Sequence, residues 1–204
     1  METTVNCPTY APFDMGSKFR LVAPGTCPAT AGRIDIIMAR GAFGSGEHET
    51  TASCIDLLEE MDNLSGQTIL DLGSGTAILS IVAQKLGARR ALCIDIDPKA
   101  ITSAQHNCQL NGIKEEIEHR CGTLQAVAET GFDLVLANIY GDILLDICAD
   151  LVKKVRPGGR LLLSGILWEY NFDVRKRYEK AGCELLKNRL LEEFSTVLLR
   201  KNPR

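Results

Sequence analysis

Short apolar runs alternate with longer amphipathic stretches from Gln67 onward. The short runs are rich in leucine and β-branched residues and predict strands, whereas the longer stretches predict helices. The predicted strands are Thr68 to Leu72, Ala91 to Asp95, Glu116 to Arg120, Asp133 to Ala137 and Arg160 to Ser164. The predicted helices are Ala77 to Leu86, Pro98 to Leu110, Asp142 to Val155 and Trp168 to Ala181. This alternation is typical of repeated βαβ units and predicts a doubly wound, mainly parallel sheet.

Two more strand-like runs follow the last predicted helix, from Cys183 to Arg189 and from Phe194 to Arg200. Because only residues 190–193 separate them, we expect the sheet to end in an antiparallel hairpin rather than in another crossover. A mainly parallel Rossmann-like sheet with a final antiparallel hairpin is the architecture of class I methyltransferases. A dinucleotide dehydrogenase would normally continue with parallel strands. The pattern therefore predicts an α/β fold of the class I methyltransferase type.

The first forty residues follow a different pattern, because prolines and glycines interrupt short apolar runs such as Lys18 to Val22 and Arg33 to Met38. We interpret them as an extended β arm, with a small hairpin, that packs on the main domain. The predicted division is an N-terminal β arm over residues 1–40 and an α/β domain over residues 41–204.

Composition limits the kind of partner and compartment. A net charge of −3 provides no overall field for phosphate backbones, so we expect no nucleic-acid partner. The N-terminus lacks the basic start and apolar run of a signal peptide, and no apolar run reaches the roughly 18 residues of a membrane span. The eight cysteines are scattered without a Cys-x-x-Cys pair, which favours reduced thiols and no metal. We therefore expect a cytoplasmic protein without a membrane partner, whose oligomeric state the sequence does not indicate.

A glycine turn follows the first long predicted strand, in the segment Asp71-Leu72-Gly73-Ser74-Gly75. Glycines at positions 73 and 75 would let a ligand approach the backbone, because side chains there would fill its space. Asp71 could accept a hydrogen bond from a cationic amino group at the mouth of the turn. A tight strand-to-helix connection without a ligand is the alternative.

Asp95 lies 22 residues after Gly73, at the end of the next predicted strand. A carboxylate at this spacing can bind both hydroxyls of a ribose. Asp97 precedes Pro98 and is better placed as a helix N-cap. The dinucleotide pattern Gly-x-Gly-x-x-Gly would require glycine at Ile78, so a methyl donor is favoured over a nicotinamide cofactor.

Asn138 follows a third predicted strand and should lie at the same sheet edge as Gly73 and Asp95. Methyl transfer to nitrogen needs a lone pair aimed at the methyl carbon, and an amide oxygen can hold the acceptor's N–H bonds. Asn138 is therefore the candidate catalytic residue. The alternative is an asparagine that ends the strand and caps the following helix. Tyr140 would either form a wall of the acceptor pocket or pack inside the fold.

The segment Ala42 to Thr51, together with the glycine turn, resembles the PrmA-type methyltransferases that modify a large-subunit ribosomal protein. The resemblance continues through Ile94 to Pro98, Ala137 to Ile139 and Leu163 to Leu167, and covers roughly residues 33 to 201. It implies that Thr51, Gly73, Asp95 and Asn138 contact S-adenosylmethionine. It also implies that the loop from Phe43 and Gly44 to Thr51 closes over the methionine end of this cofactor.

Two departures from the family pattern affect these expectations. Only about forty residues precede the Phe43 loop, so we expect the family's substrate-recruiting N-terminal domain to be missing. Ala77 stands where the family usually has a third glycine, and we expect at worst a lower affinity for the cofactor. His48 is a candidate base, although a position at a helix N-terminus favours its neutral form without requiring proton transfer.

The leading functional prediction is methylation of a protein amino group, a lysine side chain or an N-terminus, on a substrate that could be ribosomal. A small-molecule acceptor is the first alternative, and a non-catalytic cofactor-binding protein is the second. A β arm folded over the Asn138 side to leave a closed pocket would favour the small molecule. An open groove there would favour a protein.

Overall fold

The computed structural model describes residues 10–27, 32–39, 48–61 and 64–203. Its first three strands are β1 (Phe13–Met15), β2 (Phe19–Val22) and β3 (Ile34–Ile37), which form a small sheet of their own. β1 and β2 pair antiparallel and β2 and β3 pair parallel. The predicted arm therefore contains the expected hairpin and one further strand.

The main sheet has seven strands among the described residues. These are β4 (Thr68–Leu72), β5 (Arg90–Asp95), β6 (Ile117–Cys121), β7 (Phe132–Asn138), β8 (Val155–Leu167), β9 (Cys183–Leu190) and β10 (Phe194–Lys201). Their spatial order is β6-β5-β4-β7-β8-β10-β9, with parallel pairing from β6 through β8. This arrangement confirms the expected class I methyltransferase fold.

The end of the sheet corrects one detail of the prediction. β9 and β10 form the expected antiparallel hairpin, but β10 lies between β8 and β9 and is antiparallel to both. β9 is consequently parallel to β8, so the chain does make one more crossover before the hairpin. The sequence pattern indicates a hairpin but does not indicate which of its two strands pairs with β8.

Six α-helices lie in the described part of the chain. They are α1 (Glu49–Glu60), α2 (Ile78–Lys85), α3 (Pro98–Leu110), α4 (Gly141–Asp146), α5 (Cys148–Lys154) and α6 (Trp168–Lys180). The predicted helix Asp142 to Val155 is wrong as one element, because Ile147 leaves helical geometry at ψ 1°. Val155 belongs instead to β8, where it pairs with Phe132 across an irregular register. Among the described residues, no helix is both long and apolar enough to cross a membrane.

Two apolar cores lie on opposite faces of the main sheet. Residues of α1, α2 and α3 share one core with the small β1–β3 sheet, including Phe19 and Ile36. Residues of α4, α5 and α6 form the other core, including Leu144, Leu151 and Val174. The fold therefore has three layers, and the described strands of the arm pack on the α1–α3 layer.

Candidate functional site

The carboxyl ends of β4, β5 and β7 meet at the centre of the main sheet. β4 pairs with β5 on one side and β7 on the other. The chain adds β5 and β6 outward on the first side and then crosses back to add β7 and β8 on the second, so the strand order reverses at β4. Open α/β sheets bind ligands in the crevice above such a switch point. The structure therefore brings the predicted residues Gly73, Asp95 and Asn138 to one edge.

The glycine turn is fixed by its own backbone. The N–H groups of Gly73 and Ser74 both donate to the Ile94 carbonyl, at 2.8 and 3.0 Å. Gly73 has φ +71°, and a Cβ there would lie 2.4 Å from Cγ2 of Ile139. Glycine is required at position 73 because the loop after β7 packs on it, a reason that the sequence prediction did not contain.

Asp95 holds the same turn from the end of β5. Its Oδ2 accepts from the Gly75 N–H and its Oδ1 from the Asp97 N–H, both at 2.9 Å. A carboxylate offers about four lone-pair positions, so each oxygen can accept one further hydrogen bond. Asp97 in turn accepts from the Lys99 N–H as N-cap of α3, with Pro98 in the first turn, as predicted. Asp95 is thus oriented by the backbone and retains the capacity to bind a pair of hydroxyls.

Asp71 lies beneath the turn, with only 2% of its surface exposed. Its Oδ2 accepts from the Ser80 hydroxyl at 2.7 Å, and Ser80 in turn accepts from the Cys93 thiol. Burial, reinforced by the charge of Asp95 and opposed by the Ser80 hydrogen bond, raises the pKa of Asp71 to about 6. Its predicted contact with a cationic amino group stays a prediction.

Ala77, the predicted departure from the family pattern, adopts a left-handed conformation at φ 62° and ψ 19° and is fully buried. It is the one described non-glycine residue with positive φ. An L-residue in this region is disfavoured by about 1–2 kcal/mol because its Cβ approaches the following carbonyl. The methyl group at this position therefore strains the turn rather than blocking it.

Asn138 ends β7 and reaches across to α1. Its Nδ2 donates to the Thr51 hydroxyl at 3.5 Å, and Thr51 is buried. The N-cap of α4 is Tyr140, without a side-chain hydrogen bond, so Asn138 does not cap that helix. The amide oxygen of Asn138 faces Gly165, whose φ is +75° and whose Cβ would lie 2.7 Å from the Ile139 carbonyl. Gly165 therefore permits the close approach of β8 to the loop that carries Asn138.

His48 acts as the N-cap of α1. Its Nδ1 lies 2.8 Å from the Thr50 hydroxyl and accepts from the Thr50 N–H, and its ring contacts Phe194 edge-on at 5.1 Å. Glu49, in the first helical turn, accepts from the N–H groups of Glu192 and Glu193 in the β9–β10 turn. These contacts give His48 a structural role that explains its position.

Asn107 of α3 links the arm to the glycine turn, which sequence reasoning missed. It is fully buried, accepts from the Ala39 N–H at 3.0 Å and donates to the Thr76 carbonyl at 3.2 Å. Asn111, one turn later, holds both backbone groups of Ile37. The sequence did contain a signal for this link: two asparagines lie one helical turn apart, on the face of α3 that otherwise carries buried apolar residues.

Phe43 and Gly44, the remaining predicted cofactor residues, lie outside the described residues, as does the proposed boundary at residues 40 and 41. Gly75, also predicted, has φ +52°. Within the described ranges, no group of three His, Cys, Asp or Glu side chains is arranged to hold a metal ion.

Comparisons with known proteins indicate the family. The sequence model of one family, described as "Ribosomal protein L11 methyltransferase (PrmA)", matches residues 4–202. Ribosomal protein L11 methyltransferases from Exiguobacterium sp. (strain AT1b) and Symbiobacterium thermophilum are 36% identical over 160 residues and 44% identical over 126 residues. These alignments cover 78% and 62% of this chain but 51% and 40% of the relatives, so the chain spans about half the length of the curated relatives or less.

The crystal structure of a ribosomal protein L11 methylase from Lactobacillus delbrueckii subsp. bulgaricus superposes with a TM-score of 0.84 at 26% identity. The match covers 95% of this chain and 98% of that one. The predicted resemblance over roughly residues 33 to 201 is thereby confirmed, and the family match extends further, to residues 4–202. The chain belongs to the PrmA family of ribosomal protein L11 methyltransferases.

Proposed function

We propose that this chain is an S-adenosylmethionine-dependent methyltransferase that methylates an amino group of a protein, with ribosomal protein L11 as the acceptor that its relatives' names suggest. The observation that carries the proposal is the contact between Asn138 and Thr51 at the sheet edge that also presents Asp95. This edge combines a carboxylate suited to a ribose with an amide suited to an amine.

The residues present fit the cofactor. Asp95 would bind the ribose hydroxyls, because each of its oxygens is engaged by only one backbone N–H in the described contacts. Gly73 and Gly75 shape the turn beside it, and Thr51 lies next to Asn138. We propose that Asp71, Phe43 and Gly44 contribute at the methionine end. When bound, S-adenosylmethionine supplies a methyl group on a positively charged sulfur, which is electrophilic.

Asn138 has the role of aligning the acceptor. Its Nδ2 is engaged with Thr51, and its Oδ1, which lies beside Gly165, would accept the N–H bonds of an incoming amine. Orientation of two reactants in one site is worth about 7–11 kcal/mol of the barrier. A lysine ammonium, with an ordinary pKa near 10.4, must first lose a proton. An uncharged amide cannot remove it, so we assign alignment and not proton transfer to Asn138.

The position of the arm supports a protein acceptor over a small molecule. The β1–β3 sheet packs on the α1–α3 layer, where Glu59 of α1 holds the N–H groups of Ser17 and Lys18. Tyr140 and Trp168, which follow β7 and β8 and begin the helices of the α4–α6 layer, are 65% and 55% exposed. Tyr140 is therefore available to line an acceptor groove instead of packing inside the fold.

We also propose the division into a β arm over residues 1–40 and a methyltransferase domain over residues 41–204, together with a cytoplasmic location. The seven described cysteines are all free, and five of them are buried. Free thiols are typical of a reducing compartment.

The test is transfer of labelled methyl from S-adenosylmethionine to purified L11 and to a lysate of the source organism, separated into protein and small molecules. We expect label on an amino group of L11. Label confined to small molecules would favour the alternative acceptor, and cofactor binding without transfer to either would favour a non-catalytic protein.

Site variants then locate the chemistry. Asp95→Ala should weaken cofactor binding roughly a hundredfold, because two hydrogen bonds to a charged group are lost. Asp97→Ala is the matched control, since it removes a carboxylate two residues away that only caps α3. Asn138→Ala should lower kcat far more than it changes the cofactor Kd. If neither Asp95→Ala nor Asn138→Ala changed either quantity, the assigned site would be wrong.

A further inference from the structure

Three segments contain the carboxyl ends of β7, β8 and β9 and the residues that follow them. They comprise residues 138–146, 164–173 and 190–194, and we call them the acceptor-side surface. Asn138 lies in the first of these segments. The surface thus begins at the residue that the proposed function assigns to the acceptor and extends over α4 and the start of α6.

Exposed apolar side chains are concentrated on this surface. Of the eight large apolar side chains that are exposed in the described part of the chain, five belong to it. They are Tyr140, Ile143, Trp168, Phe172 and Leu190, with 43% to 65% of their surface exposed. Trp168 and Phe172 lie one turn apart and therefore on the same face of α6. Exposed apolar groups clustered in this way mark an interaction site rather than scattered surface residues.

The same surface carries charge of one sign. The three segments contain six exposed carboxylates and no lysine or arginine. These are Asp142, Asp146, Glu169, Asp173, Glu192 and Glu193. Three cations lie at the border of this surface and already have partners. Lys176, whose Nζ lies 6.0 Å from the Phe172 ring, pairs with Glu179, and Arg189 pairs with Asp56 and Glu60. Arg175 donates to the Asn171 amide oxygen. A partner complementary to this surface is positively charged and has apolar side chains.

Several contacts hold the three segments in fixed positions. The Trp168 indole donates to the Phe194 carbonyl at 3.0 Å, which orients its ring. Glu49 fixes the β9–β10 turn through the N–H groups of Glu192 and Glu193. Gly141 packs so closely on Tyr170 that a Cβ would lie 2.8 Å from the tyrosine Cβ. The aromatic groups are therefore presented by a rigid frame, which lowers the entropic cost of binding.

We propose that the acceptor-side surface docks a basic, lysine-bearing segment of the protein substrate. This inference rests on the proposed function and names the chemistry of the partner at that same site. Apolar residues of the segment contact Trp168, Phe172 and Tyr140. Its flanking lysine or arginine side chains face the six carboxylates, and the target amine reaches Asn138.

Trp168 provides a direct readout, because it is the one tryptophan of the chain. Fluorescence of the full-length protein is titrated with tryptophan-free peptides that carry one central lysine between leucines. The flanking charged positions are arginine in one peptide and glutamate in the other. We expect the arginine peptide to change the fluorescence and bind at least about tenfold more tightly at low salt. Equal binding of both peptides, or binding of neither, would overturn the proposal.

Two variants with matched controls locate the contact. Phe172→Ala and Glu169→Lys should each weaken binding of the arginine peptide, and raise the KM for L11, by about tenfold. Leu186→Ala and Glu115→Lys, which change an exposed leucine and glutamate outside the surface, should leave both values unchanged. The cofactor Kd should not move in any of the four variants.

Failure of this inference can be distinguished from failure of the proposed function. Peptide docking is measured without turnover, so specific docking of the arginine peptide supports the surface even if L11 is not methylated. Methylation of L11 with unchanged KM in both surface variants would overturn the docking surface alone. If Phe172→Ala left peptide binding intact and converted a dimer to a monomer in sedimentation, the surface would be an interface between copies and the proposal would be wrong.

Discussion

The two halves of the sheet edge are built differently. On the β4–β5 side, the glycine turn, Asp95 and Asp71 are tied to the backbone and to buried hydroxyl and thiol groups. On the β7–β8 side, aromatic and acidic side chains project into solvent. A cofactor of fixed shape suits the first arrangement, whereas an acceptor on the surface of another protein suits the second. Substitutions on the first side should therefore cost stability, and substitutions on the second should cost recognition.

The largest expected effect is at the boundary between the halves, where Gly73 contacts Ile139. Gly73→Ala adds backbone strain at φ +71° and places a Cβ only 2.4 Å from Cγ2 of Ile139, which is a steric clash. Together these should lower the free energy of unfolding by about 3–4 kcal/mol. Urea unfolding of Gly73→Ala, Ile139→Ala and the double variant measures the coupling between them. In the double variant the steric clash is relieved but the backbone strain remains, so its loss of stability should be smaller than the sum of the two single losses. A loss equal to that sum would contradict the contact between Gly73 and Ile139.

A pH-dependent effect should come from Asp71. Because its folded pKa is raised to about 6 from 3.8, the folded state binds more protons between these values. The contribution of Asp71 to stability is thus fully present below about pH 4 and is lost as the pH rises through 6. Relative to Asp71→Asn, the wild type should lose on the order of 2–3 kcal/mol between pH 4 and pH 7. Urea unfolding at both pH values gives this difference, and a constant difference would contradict the shifted pKa.

Substitutions of Asn107 and Asn111 should have smaller effects, and they should differ in their effect on cofactor binding. Asn107→Ala should lower stability by about 1–3 kcal/mol, because it leaves the Ala39 N–H and the Thr76 carbonyl without this partner. It should also weaken cofactor binding severalfold, since Thr76 belongs to the glycine turn. Asn111→Ala, which releases Ile37 but does not touch the turn, should cost similar stability and leave cofactor binding unchanged. Calorimetric titration with S-adenosylhomocysteine tests this, and equal affinities of the two variants would refute a link from α3 to the turn.

The smallest expected effect is a gain. Ala77→Gly should raise the free energy of unfolding by about 1 kcal/mol, because glycine adopts φ 62° without strain. Thermal unfolding of the variant beside Ala83→Gly, a buried alanine in the regular part of α2, provides the comparison. The control should lose stability, and a loss in both variants would show that Ala77 is not strained.

Much of the central domain could be predicted because local pattern and tertiary context agree there. β4 and α3 begin and end where the sequence predicted, and Asp97 caps α3 through a signal that is entirely local. β8 is longer than predicted because it begins at Val155, which pairs with Phe132, whereas Pro157, Gly158 and Gly159 suggest a loop and lie where the register with β7 is interrupted.

The unpredicted parts of the site depend on contacts between distant segments. The need for glycine at positions 73 and 165 arises from Ile139, which is far from both in sequence. The role of Asn107 requires knowing that the arm returns to α3. Sequence reasoning located Asp95 and Asn138 because a strand end is a local feature that parallel pairing brings to a common edge.

The insertion of β10 between β8 and β9 has a consequence for how the chain folds. β10 is the last of the described strands to be synthesised, yet it lies inside the sheet. β8 and β9 therefore lack their shared neighbour until residues 194–201 have left the ribosome. Until then β8 presents an apolar, unpaired edge of the kind that leads to aggregation. Completion of the sheet is therefore a late event that depends on contacts of long sequence separation, and a nascent chain stalled before Phe194 would be the species most in need of a chaperone.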